Sequence, residues 1–116
     1  EYITYTSTSD GFSVSHKSSR SVYQDARSYG QRYTFFKAAA NIAIHTGDSW
    51  SWQHPGRTFS TDFLVDGKPT FVYKITSQTL VDIENNGKKY TIQCIHNGVQ
   101  SAKDECDALI SSFKFI

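Results

Sequence analysis

Thr79–Gly98, TLVDIENNGKKYTIQCIHNG, is the stretch whose reading decides the fold. Asn86-Gly87 is the strongest short-range hairpin signal, because both residues of a two-residue turn take φ > 0 and Asn and Gly tolerate this best. Such a turn dictates a register. Asn85 faces Lys88, Glu84 faces Lys89, Ile83 faces Tyr90, Val81 faces Ile92 and Thr79 faces Cys94. The apolar pairs share one face, while Glu84–Lys89 and Asp82–Thr91 share the other. A slip of one residue would bury the charges, so the pattern specifies the register. The second strand runs out to His96, on the face of Tyr90, Ile92 and Cys94.

Upstream, Phe71, Tyr73 and Ile75 alternate as a strand. Arg57–Val65 does the same, with Phe59, Phe63 and Val65 on one face and Thr58, Ser60 and Asp62 on the other. A three-residue loop, Asp66-Gly67-Lys68, sets Phe63 against Phe71 and Phe59 against Ile75, and is preferred to a two-residue turn. Asp48–Gly56 is a loop carrying both tryptophans and His54. Phe35–Gly47 is ambiguous: three alanines favour helix, whereas Asn41–His45 reads as a short strand. Val22, Ala26, Tyr29 and Tyr33 follow one another at helical spacing after Ser18-Ser19, a candidate N-cap. They predict a helix that Gly30 ends or weakens, with Arg20, Gln24, Asp25 and Arg27 on its wet side. Tyr2–Thr6 and Phe12–His16 read as a hairpin across Ser9-Asp10-Gly11, placing Ser7 opposite Val14 and Tyr5 opposite His16.

Downstream, Ser101 begins a short helix with Asp104 completing a weak capping box. Ala102, Cys106, Leu109 and Ile110 form its apolar face. Phe113–Ile116 reads as an edge strand. The expected fold class is α+β, a single domain over residues 1–116: an antiparallel β-sheet with an N-terminal hairpin and one main helix packed on the sheet.

The 116 residues carry a formal charge of +1, with both signs spread along the chain. No basic stripe marks a dedicated nucleic-acid or membrane surface, and no stretch is long and apolar enough to span a bilayer. The chain begins at Glu1 and contains no Met, which reads as a mature product whose leader has been removed, hence a secreted protein. Its two cysteines fit one disulfide in an oxidising compartment or two free thiols. Cys94 and Cys106 are twelve positions apart with a turn between, so they can meet. Two cysteines and four scattered histidines offer no zinc spacing, and no metal or cofactor is expected.

His96 is the one residue with catalytic potential. Metal-free RNA cleavage needs a base, an acid and cations around the phosphorane. His96 would be the acid, with Asp62 or Glu84 as base, but these carboxylates fall on the polar strand face, and for Glu84 that is the face opposite His96. A lone His at a strand end is more often structural. For binding, Trp50, Trp52, His54 and Arg57 sit in and beside a polar loop where tryptophan has no obvious core role. Lys88 and Lys89 add cations for weak RNA contacts.

The N-terminal hairpin, the SVYQDARSYG segment, the His54-Pro55 pair and ENNGKKYTIQCIHNG together resemble the small guanyl-specific microbial ribonucleases. In that resemblance His96 occupies the place of the general-acid His. The strand TFVYKI lacks the catalytic Glu, however, and SQTLVDI lacks the Arg. A ribonuclease-like scaffold without its catalytic set is similar to the RNase-like secreted effectors of powdery-mildew fungi. The resemblance implies a non-catalytic, monomeric virulence or avirulence protein, translocated into plant cells, that binds a host protein such as an immune receptor, or RNA. GFSVSH, VDGKP–FVYKI, NGKKYTIQC and ALISSFKF also resemble the PsbP/Mog1-type domains of bacterial lipoproteins and photosystem subunits. An active small ribonuclease using His96 is a further alternative.

Overall fold

A computed structural model describes residues 1–37 and 40–116. The chain forms β1 (Tyr2–Ser7), β2 (Phe12–Lys17), β3 (Ser21–Arg27), β4 (Gly30–Phe36), β5 (Ile42–Thr46), a 3-10 turn (Trp50–Gln53), β6 (Thr58–Val65), β7 (Lys68–Lys74), β8 (Gln78–Asn85), β9 (Lys88–Ile95), α1 (Gln100–Ser112) and β10 (Lys114–Phe115). A seven-stranded sheet runs β3-β4-β5-β9-β8-β7-β6, and a three-stranded sheet runs β1-β2-β10. All pairings are antiparallel. The coarse class is therefore as expected: an N-terminal hairpin, a dominant antiparallel sheet and one helix packed against it.

The β8–β9 hairpin has every pair in the expected register, from Asn85–Lys88 to Thr79–Cys94. Asn86 and Gly87 both take positive φ, 53° and 79°. The two strands sit near the middle of the large sheet. Val81, Ile83, Tyr90, Ile92 and Cys94 line its inner face and join Tyr33, Phe35, Ile42 and Ile44 in the core. The cover over that face comes from the two ends of the chain. Phe12 and Val14 of β2 enter from one side, and Cys106, Leu109, Ile110 and Phe113 from the other. Phe12 stacks on Phe113 with ring centroids 5.5 Å apart.

Cys94 and Cys106 are bonded, with Cα atoms 6.0 Å apart, so α1 is tied to β9. A second tie is a buried ion pair. Arg20 binds both carboxylate oxygens of Glu105 and donates to the Phe35 carbonyl at 2.8 Å. Burial alone would raise the Glu105 pKa, but the Arg20 hydrogen bonds and charge outweigh it and hold the carboxyl below its ordinary value.

Several expectations are overturned. The segment predicted as a helix after Ser18-Ser19 is the β3–β4 hairpin, turning at Ser28-Tyr29. Tyr33 and Phe35, two residues apart, are both fully buried, and this period of two outweighs the helical spacing. Gly30 serves close approach: a Cβ there would lie 2.1 Å from the Thr46 carbonyl oxygen. Arg20, expected to be wet, is buried.

In the first hairpin, Ser7 faces Phe12 and Tyr5 faces Val14. This register is two residues from the expected one, so the faces are unchanged. The longer loop lets Asp10 accept from the Tyr33 hydroxyl and from Lys88.

Between β6 and β7 the turn is the two-residue Asp66-Gly67, with φ of 48° and 77°. The extra residues lie in an irregularity between Ser60 and Leu64. It turns Phe63 toward the core and leaves Phe59 on the opposite, exposed face.

The α1 N-cap is Val99, with no side-chain cap. Asp104 accepts from the Gln100 amide instead of forming a capping box. The short strand expected at Asn41–His45 exists as β5, and the last strand as β10. Of the alanine run read as helix-favouring, Ala38 and Ala39 lie outside the described residues.

Replacing Glu105 by Gln leaves a buried guanidinium without its countercharge. Unfolding free energy should fall by about 3–5 kcal/mol, read from denaturant midpoints. An unchanged midpoint would show that the pair is not closed to solvent.

Candidate functional site

The outer face of the large sheet carries a cluster built on Asp82. Its side chain is 1% exposed, although its position on the polar strand face predicts a solvated group. The Ser51 hydroxyl donates to both carboxylate oxygens at 2.9 and 3.0 Å, the Thr91 hydroxyl donates at 2.6 Å, and Arg57 donates at 3.0 Å. Ser49 and Thr91 hydroxyls lie 3.0 Å apart. A buried carboxylate needs such donors. Here they come mostly from the 48–57 loop, so Asp82 pins that loop onto the sheet.

The pinned loop fixes the aromatic side chains. Trp52 and His54 donate their backbone N–H groups to the Ser49 and Ser51 carbonyls, closing the 3-10 turn. Trp50 projects outward and is 50% exposed. Trp52 turns inward, and the Arg57 guanidinium lies 4.9 Å from its ring and 4.2 Å from that of Phe71. The Trp52 indole N–H is buried without an acceptor, so stacking rather than hydrogen bonding holds it. The Lys89 ammonium sits 5.1 Å from the same indole and 3.2 Å from an Asp48 carboxylate oxygen. His54 packs on Tyr73 with ring centroids 4.0 Å apart and planes tilted by 38°, and meets Trp50 edge-on at 6.3 Å. Phe59 packs on Phe71 at 5.0 Å and is itself 53% exposed.

Of the residues singled out for binding, Trp50, Trp52, His54, Arg57 and Lys89 therefore converge on one surface. Lys88 does not belong to it. Neighbouring residues of a strand point to opposite faces, and Lys88 pairs with Asp10 at 2.8 Å beside the N-terminal hairpin. Sequence reasoning missed Asp82, Phe59, Phe71 and Tyr73 as members of this cluster. The available signal was that Asp82 lies between Phe71 and Thr91 across three strands.

His96 lies on the inner side. It is buried, its Nδ1 accepts the Gly98 N–H at 3.1 Å, and Nε2 stands 3.4 Å from Thr79 Oγ1. Burial, and secondarily Lys103, hold its pKa below the ordinary histidine value despite Asp107 nearby. Glu84 and Asp62, the bases weighed from the sequence, are exposed, and Glu84 belongs to the outer row of β8 with Asp82. His45 is also buried. Tyr29 donates to its Nδ1 at 2.7 Å, and Nε2 donates to Gln93 at 2.9 Å. Burial lowers its pKa more than the Gln93 contact raises it. Among the described residues, no three His, Cys, Asp or Glu side chains are placed to hold a metal ion.

At both His45 and His96 the folded protein binds a proton more weakly than the unfolded chain does. Their contribution to stability is fully present above about pH 6.5, the unfolded value, and is lost as pH falls. Glu105, also depressed, adds a further loss in the carboxylate range. Denaturant midpoints should fall between about pH 7.5 and about pH 5.5, and the His45→Gln/His96→Gln pair should flatten that slope. An equal slope in the variant would place the acid sensitivity elsewhere.

No protein-family model matches this sequence, and no curated protein matches it.

Proposed function

We propose that the chain is a secreted, non-catalytic binding protein that docks a protein partner on the outer face around Trp50. The carrying observation is that Trp50 and Phe59 are half-exposed beside rings already held rigid by Asp82, Arg57 and Tyr73. Tryptophan and other large side chains that reach solvent from a rigid base are the usual anchors of protein interfaces. A protein partner is favoured over RNA because the cations here are already engaged. Arg57 is paired with buried Asp82 and Lys89 with Asp48, leaving little free positive charge for phosphates. The disulfide fits an oxidising compartment. This is the reading implied by the resemblance to RNase-like secreted effectors, with a host protein as partner and the chain acting as a monomer.

The non-catalytic reading is supported by the placement of the groups it turns on: His96 faces inward and holds a backbone N–H, Glu84 lies on the outer row of β8, and TFVYKI carries no carboxylate.

One observation favours the PsbP/Mog1-type reading of ancestry. The helix lies at the C-terminal end, and the last strand joins the N-terminal hairpin. In the segment where the ribonuclease-like resemblance calls for its helix, the chain forms β3 and β4.

Two experiments test the proposal. Wild type and the Trp50→Ala/Phe59→Ala variant serve as baits in plant-cell extract, with Lys88→Ala as control. A protein retained by wild type and by Lys88→Ala but lost by the double variant is expected; equal retention by all three would move the interface elsewhere. Purified protein should not turn over a guanosine-containing dinucleotide. Turnover that disappears in His96→Ala would overturn the non-catalytic reading.

A further inference from the structure

The inner face of the large sheet is not fully covered. Helix α1 packs on β2 and β9, and a cleft of about 470 Å³ remains between the helix and the far ends of β7 and β8. This volume lies in the range of small-molecule sites. Phe63 and Ile75 give it an apolar wall. Lys74 lines it from the end of β7, its ammonium 5.9 Å from the Phe63 ring, and Lys103 lines it from α1. Among the described residues neither lysine makes an ion pair. His96 and Thr79 line the same cleft. Because His96 Nδ1 accepts from Gly98, the ring proton lies on Nε2, and its contact there with Thr79 is long at 3.4 Å.

We propose that this cleft binds a small organic oxyanion, its phosphate or carboxylate headgroup between Lys74 and Lys103 and its apolar body against Phe63 and Ile75. Two lysines line one space, and among the described residues no carboxylate is bonded to either. An oxyanion supplies the acceptors they lack, in charge-assisted bonds stronger than neutral ones. The His96 Nε2–H and the Thr79 hydroxyl add neutral donors, so the imidazole serves as a hydrogen-bond donor and is not required to ionise. Asp107 also lines the cleft. It opposes an anion, and within the cleft lining the two lysines against it leave one net positive charge for the headgroup; Asp62 lies outside that lining, in an adjoining hollow that shares Lys74. The site lies on the side of the sheet away from Trp50, so it stands or falls independently of the docking surface there.

The test is calorimetric titration and amide chemical-shift mapping of the full chain with three probes: phenyl phosphate, 3-phenylpropanoate and neutral 3-phenylpropanol. The two anions should bind, perturbing the amides of His96, Gly98 and Lys103, and the stronger anion identifies the headgroup source. The alcohol should bind at least about tenfold more weakly. Lys103→Ala and Lys74→Ala should each weaken the preferred anion about tenfold, Asp107→Asn should tighten it, and Lys68→Ala, at the other end of β7, should leave it unchanged. Neither lysine is ion-paired, so denaturant midpoints of these variants should match wild type. Equal binding of the alcohol, perturbations mapping away from the cleft, or affinity insensitive to both lysines and to Asp107 would overturn the proposal.

Discussion

The chain ends cover the core, and the buried Arg20–Glu105 pair sets how they do so. Arg20 sits in the short connection between the N-terminal hairpin and the large sheet. Its guanidinium reaches Glu105 on the C-terminal helix and the Phe35 carbonyl on β4. Three elements distant in sequence thus share one group. Taking two charges out of water is costly, and a well-packed apolar pair can be as stable. What the ion pair adds is geometry, because five fixed donors admit few arrangements. With the Cys94–Cys106 bond holding the same helix to β9, α1 is fixed at two successive positions, Glu105 and Cys106. The Phe12–Phe113 stack then closes the layer beneath.

That clamp has a consequence for the uncovered surface. A helix held over β2 and β9 leaves the corner near β7 open, and the His96 cleft is the space that remains.

The outer face follows a different physical logic. Among the described residues nothing of comparable size covers it, so its order depends on one buried carboxylate and the loop that satisfies it. Asp82 collects donors from Ser51, Thr91 and Arg57. Arg57 in turn fills the space between Trp52 and Phe71. Rigidity of this kind lowers the entropy lost when exposed rings meet a partner. The alternation of a single strand separates the two regions: Lys88 serves the core side and Lys89, its neighbour, the aromatic side.

The sequence by itself determined whatever depends on local alternation and turn chemistry. Asn86-Gly87 and the apolar pairs around it set the central register, because any slip exposes apolar groups and buries charges. The last strand, the apolar face of α1, β5 and the reach between Cys94 and Cys106 were legible for similar reasons. Only the tertiary structure decided the rest. Val22, Ala26, Tyr29 and Tyr33 have helical spacing, but spacing cannot reveal that β5 offers β4 a pairing edge or that Tyr33 and Phe35 would both be buried. Asp66-Gly67 forms its favoured tight turn because the strand takes up the mismatch as an irregularity three residues earlier, a trade no local pattern records. Arg20 and Asp82 looked wet, since charge predicts exposure unless a partner arrives. Those partners are Glu105, 85 positions away, and Arg57 with Ser51 from a separate loop. Burial of a charge is a property of pairs, and the pairs exist only once the chain has folded.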